Sequence, residues 1–139
     1  MADVVGALVA FLAADAATAA IVGARVFGGE LPSEEAAAMP RAAIVLTASG
    51  GSSLTGGSYV EHDTQRVDLF AYGATPHAAE QLRDVAAMAL RRLRRGVWAQ
   101  VLVHWAQPAG GSTGARDPDA AWPRAFQSFQ IFHAIRTVA

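Results

Sequence analysis

Cysteine is absent from all 139 residues, and with it go disulfide staples, thiolate nucleophiles and cysteine-ligated zinc or iron–sulfur clusters. Lysine is absent too. All 11 basic residues are arginine, which removes the lysine that a phosphate-binding P-loop or a Schiff base requires. Charge of one sign is not in excess: the formal net charge is -1, so the pull toward nucleic acid or an anionic membrane that a strongly basic domain exerts is missing. No run approaches the roughly 18 to 20 uninterrupted apolar residues of a membrane span, so a soluble protein with no membrane partner is expected. The apolar stretch from Val4 to Ala14 has no basic residue ahead of it and is bordered by Asp3 and Asp15. It reads as a helix of the mature fold and not as a signal peptide.

What is present is apolar mass. With 53% hydrophobic and 17% charged residues, the chain suits one domain spanning residues 1–139 around a single core. From Asp3 to about Ala20, Val5, Leu8, Phe11 and Leu12 recur at helical spacing, and Gly23 supplies a stop. A short extended piece around Arg25 to Phe27 leads into a loop through Leu31-Pro32 and Met39-Pro40, and Arg41 to Ala48 reads as a strand. Ser49 to Ser58 is almost entirely Gly, Ser and Thr, which predicts a mobile excursion between two paired strands. Tyr59 to Tyr72 alternates, with Val67, Leu69 and Ala71 on one face and Arg66, Asp68 and Phe70 on the other.

Thr75-Pro76 opens a second helix, in which Ala78, Leu82, Val85, Ala86, Ala89, Leu90 and Leu93 form one apolar stripe that Gly96 ends. Val97 to Gln107, alternating around Val101, Val103 and Trp105, and Arg124 to Val138, alternating around Phe129, Ile131 and Ile135, give two more strands. Pro108 to Pro123 between them reads as a surface loop. The expected fold is α+β: a mostly antiparallel sheet with two helices packed on one face.

Catalytic motifs do not survive their context. Gly110 to Gly114 spells G-x-S-x-G around Ser112, with Asp117 or Asp119 and then His133 downstream, yet no helix follows the serine as a nucleophile elbow demands. The glycines from Gly50 to Gly57 lack the Gly-Lys-Ser/Thr ending of a phosphate cradle and lead into a strand. His62, His77, His104 and His133 are scattered singly in the sequence, so neither a metal nor another cofactor is expected. Trp98, Trp105 and Trp122 read as core or sheet-face anchors. The one concentration of charge is Arg91, Arg92, Arg94 and Arg95. One or two cations suffice to complement a helix dipole, so four predict a contact with an acidic partner surface or with DNA phosphate. Gly50, Gly51, Leu54, Gly56 and Gly57 are the candidate docking loop.

Placed in this order, the elements resemble a known family. The opening Ala7 to Ala16 followed by Ile21-Val22-Gly23-Ala24-Arg25-Val26-Phe27 is similar to the start of small tail-completion or tail-terminator proteins of long-tailed phages and gene transfer agents. So are the proline-led strand after Leu31-Pro32 and Met39-Pro40, the Gly/Ser loop, Arg66 to Gly73 before the helix at Ala78 to Leu82, and Arg116-Asp117-Pro118-Asp119 before the last strand. The chain departs from the pattern in the additional Gly/Ser after Ala48 and in the arginine run.

The resemblance implies a structural virion protein and not an enzyme. It would be made in the bacterial host cytoplasm and form a hexameric ring on the last tail-tube ring, contacting a head-completion or stopper protein on its other side while DNA passes through the pore. A head-side connector or stopper, which shares size and ring habit, stays open at this point. A small ligand-binding or hydrolytic domain would need convergent polar groups that the sequence does not offer.

Overall fold

The computed structural model describes residues 3–50, 62–118 and 120–137. The chain begins with helix α1 (Val4–Ala14), whose N-terminus is capped by Asp3 accepting from the Gly6 N–H at 2.9 Å. The expected single first helix is in fact two. Asp15 takes an extended conformation (φ -75°, ψ 120°) and its carboxylate accepts from both the N–H and the hydroxyl of Thr18, at 3.0 and 2.8 Å. This cap starts α2 (Ala16–Val22) at 88° to α1. Gly23, at φ 60°, ends α2 where the sequence places the stop.

Strand β1 (Val26–Gly28) is followed by α3 (Ser33–Ala38) and β2 (Ala43–Ala48). α3 lies in the segment expected to be loop; its signal is the run Pro32-Ser33-Glu34-Glu35 ahead of three alanines, with both acids in the first turn. Because β1 and β2 are joined through a helix, they can run in the same direction, and they pair in parallel. β2 pairs antiparallel with β3 (His62–Tyr72), and Gly73 then leads to α4 (Pro76–Arg91), where the Thr75 hydroxyl accepts from the Ala78 N–H at 3.1 Å.

β4 (Gly96–Trp98) returns as β5 (Val101–Pro108) through a two-residue turn in which Ala99 and Gln100 both have positive φ, 48° and 67°, the twist that suits a tight hairpin. β6 (Thr113–Arg116) and β7 (Pro123–Ala134) complete the sheet. Six of the seven described strands run in the order β1-β2-β3-β7-β5-β4. The short β6 pairs with the first residues of β7 on the edge whose later residues take β5. β6 corrects the reading of Pro108 to Pro123 as loop throughout.

The sheet is mixed: its pairings are antiparallel, as expected, except for the parallel pair β1-β2, and among the described residues four helices accompany it where two were expected. Alternation sorts its two faces. Ile44, Leu46, Val67, Leu69, Phe129, Ile131, Val101 and Val103 point to one side and join Leu8 and Leu12 of α1 and Leu82 and Leu90 of α4 in the main core. Each such large side chain, fully buried, contributes about 1.5 to 3 kcal/mol. On the other face Ala43, Val45 and Tyr72 are covered by Leu31 and Met39, which flank α3, and by Trp122. Gly73 sets the entry to α4: a Cβ there would lie 2.5 Å from the Ala79 nitrogen, so strand and helix approach too closely for any side chain. Among the described residues no single helix is long and apolar enough to cross a membrane.

Candidate interaction surfaces

The arginine run is divided by one buried residue. Arg91 closes α4, and the N–H of Arg92 donates to the carbonyls of Met88 and Ala89, both at 3.1 Å. Leu93 then turns into the core, 6% exposed, and Arg94 and Arg95 emerge before β4. All four guanidinium groups are exposed, and none forms an ion pair among the described residues, where the pairs involve Arg25, Arg41, Arg83 and Arg124.

Of the candidate docking-loop residues, Gly50 is described. It lies at φ 96° and its carbonyl accepts from the backbone N–H of Arg66 and the side-chain amide of Gln65, both at 2.6 Å, so the second residue past β2 is still tied to β3. Gly51, Leu54, Gly56 and Gly57 lie outside the described residues.

Two histidines that stand apart in the sequence come together. The rings of His62, at the start of β3, and His104, in β5, have centroids 4.8 Å apart, and both lean on Phe132 of β7, at 5.7 and 4.7 Å. An irregularity between Val103 and Trp105 places His104 and Trp105 opposite the single residue Phe132, so both rings sit on it, Trp105 at 5.5 Å. This bulge overturns the strict alternation expected through Val101, Val103 and Trp105. The His104 Nε2 is buried without a hydrogen-bond partner among the described residues. Burial, reinforced by His62, Arg95 and His133, holds the His104 imidazole below its usual pKa and so favours its neutral form. No group of three His, Asp or Glu side chains gathers as a ligand set among the described residues.

The G-x-S-x-G residues do not converge with their supposed partners. Ser112 precedes β6, whose Thr113 is paired with Phe126, whereas His133 lies seven residues further along β7, about 23 Å at the rise of an extended strand. Asp117 instead orders its own turn: it accepts from the Ala120 N–H at 2.9 Å and approaches Arg124 at 3.7 Å.

Sequence reasoning missed a recess of about 380 Å³ on the sheet face away from α1 and α4, lined by Phe70, Tyr72, Trp122, Arg124 and Asp117 among others. The Arg124 guanidinium lies 4.7 Å from the Phe70 ring centroid, and burial raises the Tyr72 pKa. Only the alternation of β3 and β7 hinted that these side chains share a face. Sequence reasoning also missed the ion cluster of α3, in which buried Glu35 accepts from Arg41 and lies 4.0 Å from Arg25.

The described residues thus form a single mixed sheet that carries exposed arginines and a recess lined by aromatic side chains. The chain belongs to the family Tail completion protein gp17, which it matches over residues 6–134, and is a structural protein of a phage-like tail. Among solved structures it is similar to a chain from the virion of a native gene transfer agent (GTA) particle, at 16% identity and a TM-score of 0.64, with 92% of each chain covered. That likeness is one of fold. No curated protein matches the chain.

Proposed function

We propose that the protein is a ring-forming tail terminator that caps the tail tube and joins the tail to the head. Copies of the chain close into a hexameric ring on the last ring of tube protein, stop its growth, and offer the opposite side to a head-completion or stopper protein, with DNA passing through the pore. The part is structural and not catalytic. The observation that carries this reading is the tail-completion family match over residues 6–134. The fold shared with a chain of a gene transfer agent virion supports it. So do Arg91, Arg92, Arg94 and Arg95, which have no ion-pair partner among the described residues and are suited to meet acidic groups of a neighbour or DNA phosphate in the pore.

Removal of the gene from the producing cell tests the proposal. Filled heads beside unjoined tails with tubes of uncontrolled length are the expected products. Normal joined particles would overturn it.

A further inference from the structure

Arg83, Ala87 and Arg91 follow one another at four-residue intervals on α4 and therefore share one side of the helix, with the small alanine between two long cations. They line a cavity of about 350 Å³ together with Ser112, in the link from β5 to β6, and Gln127 of β7. Every one of these polar side chains can donate a hydrogen bond. Arg83 is largely enclosed, its side chain 13% exposed. One terminal nitrogen donates to the exposed Asp84, while its Nε is buried without an acceptor among the described residues. A buried guanidinium N–H in that state is stabilised by an oxyanion, and Arg91 next to it has no ion pair among the described residues.

The surroundings decide which oxyanion. Met88, 52% exposed, lines this cavity and also a second recess of about 220 Å³ shared with Ala17 and Val85, and Ile21 on the neighbouring α2 is 40% exposed. A cation pair beside an apolar shelf, with the Asp84 carboxylate that pairs with Arg83 at the rim, does not match the uniform charge of a nucleic-acid backbone. It matches a polypeptide that carries an acidic residue next to an apolar one.

We propose that the cavity between α4 and the β6–β7 side binds the carboxylate of an acidic side chain on a partner protein, with an adjoining apolar side chain of the same segment resting on Met88. The carboxylate takes the guanidinium groups of Arg83 and Arg91, and Ser112 and Gln127 supply neutral donors. This site rests on the cavity and holds whether or not the protein closes into a ring.

The test is an NMR titration of the full chain, labelled with nitrogen-15 and in methionine methyl groups, with the peptide acetyl-Leu-Glu-Leu-amide. Its Gln counterpart and a short single-stranded DNA oligonucleotide serve as the other two arms. The acidic peptide should shift the Arg83 Nε–H and Met88 methyl signals, and the Gln peptide should leave the Arg83 signal in place. Arg91→Gln should weaken the acidic peptide about tenfold, the loss expected for one charge-assisted contact, and Met88→Ala should weaken it as well. Both positions are exposed, so both variants retain the fold and its signal dispersion. An unmoved Arg83 signal with the acidic peptide, an equal response to the Gln peptide, or an oligonucleotide that shifts these signals at lower concentration than the peptide would overturn the proposal.

Discussion

Glu35 and Arg41 form a two-pronged pair: the Nε and one terminal nitrogen of Arg41 donate to the two carboxylate oxygens of Glu35, each at 2.7 Å. Glu35 is 8% exposed, and the arginine hydrogen bond, opposed in part by burial, holds its pKa below the ordinary 4.5. A carboxyl whose pKa is lower folded than unfolded stabilises the fold above its unfolded value, and that contribution is lost as pH falls toward the folded value. Glu35→Gln should therefore lower the urea midpoint at neutral pH, and the gap to the unmodified protein should narrow below pH 4.5. A gap that stays constant down the acid limb would show that the pair does not titrate with folding.

His104 works over a different window. Its folded pKa is depressed below 6.5, so the unfolded chain binds the proton first, and stability should decline as pH falls from 6.5 toward the folded value. His104→Phe keeps a ring on Phe132 and removes the titration. Its thermal midpoint should be flatter than that of the unmodified protein across this range.

Gly73 should tolerate no side chain. The Cβ of Gly73→Ala would press on backbone atoms of Ala78 and Ala79, at 2.9 and 2.5 Å, and such overpacking typically costs about 1 to 3 kcal/mol. Gly111→Ala is the matching control, since its Cβ would meet nothing within 4 Å. Equal midpoints for the two variants would mean that β3 and α4 can move apart freely.

Asp15→Ala removes the cap at the 88° corner between α1 and α2. A loss of about 0.5 to 2 kcal/mol in chemical unfolding is expected, as for other N-caps. No loss would mean that packing alone holds the corner.

These positions show where the sequence was legible. Period alone identified β3 and the buried side of α4, because Val67, Leu69 and Leu82 face a core that their spacing already implied, whereas β2 was legible as a short apolar run. Asp15 was misread since an aspartate between alanines interrupts no apolar pattern; only its bonds to Thr18 reveal a cap. The parallel pairing of β1 with β2 was out of reach because α3, which permits it, looked like loop. Trp105 was assigned to the wrong face because a bulge shifts the period without a glycine or proline to announce it. At the surface, the arginines from Arg91 to Arg95 were visible at once, whereas the meeting of Arg83, Arg91, Ser112 and Gln127 depends on tertiary contacts that no local pattern encodes.

The four exposed arginines lead to the central measurement. Exposed ion pairs are worth only about 0 to 1 kcal/mol, so Arg91, Arg92 and Arg95 changed together to Gln should leave the thermal midpoint of the monomer near that of the unmodified protein. Native mass spectrometry of both proteins, at rising concentration and with isolated tail tubes, is the direct test of the ring. The unmodified chain should form a closed hexamer that stays on tube ends and loosens with salt, and the triple variant should form it less readily. An unmodified chain that remains monomeric and leaves tube ends bare would contradict the ring-forming terminator.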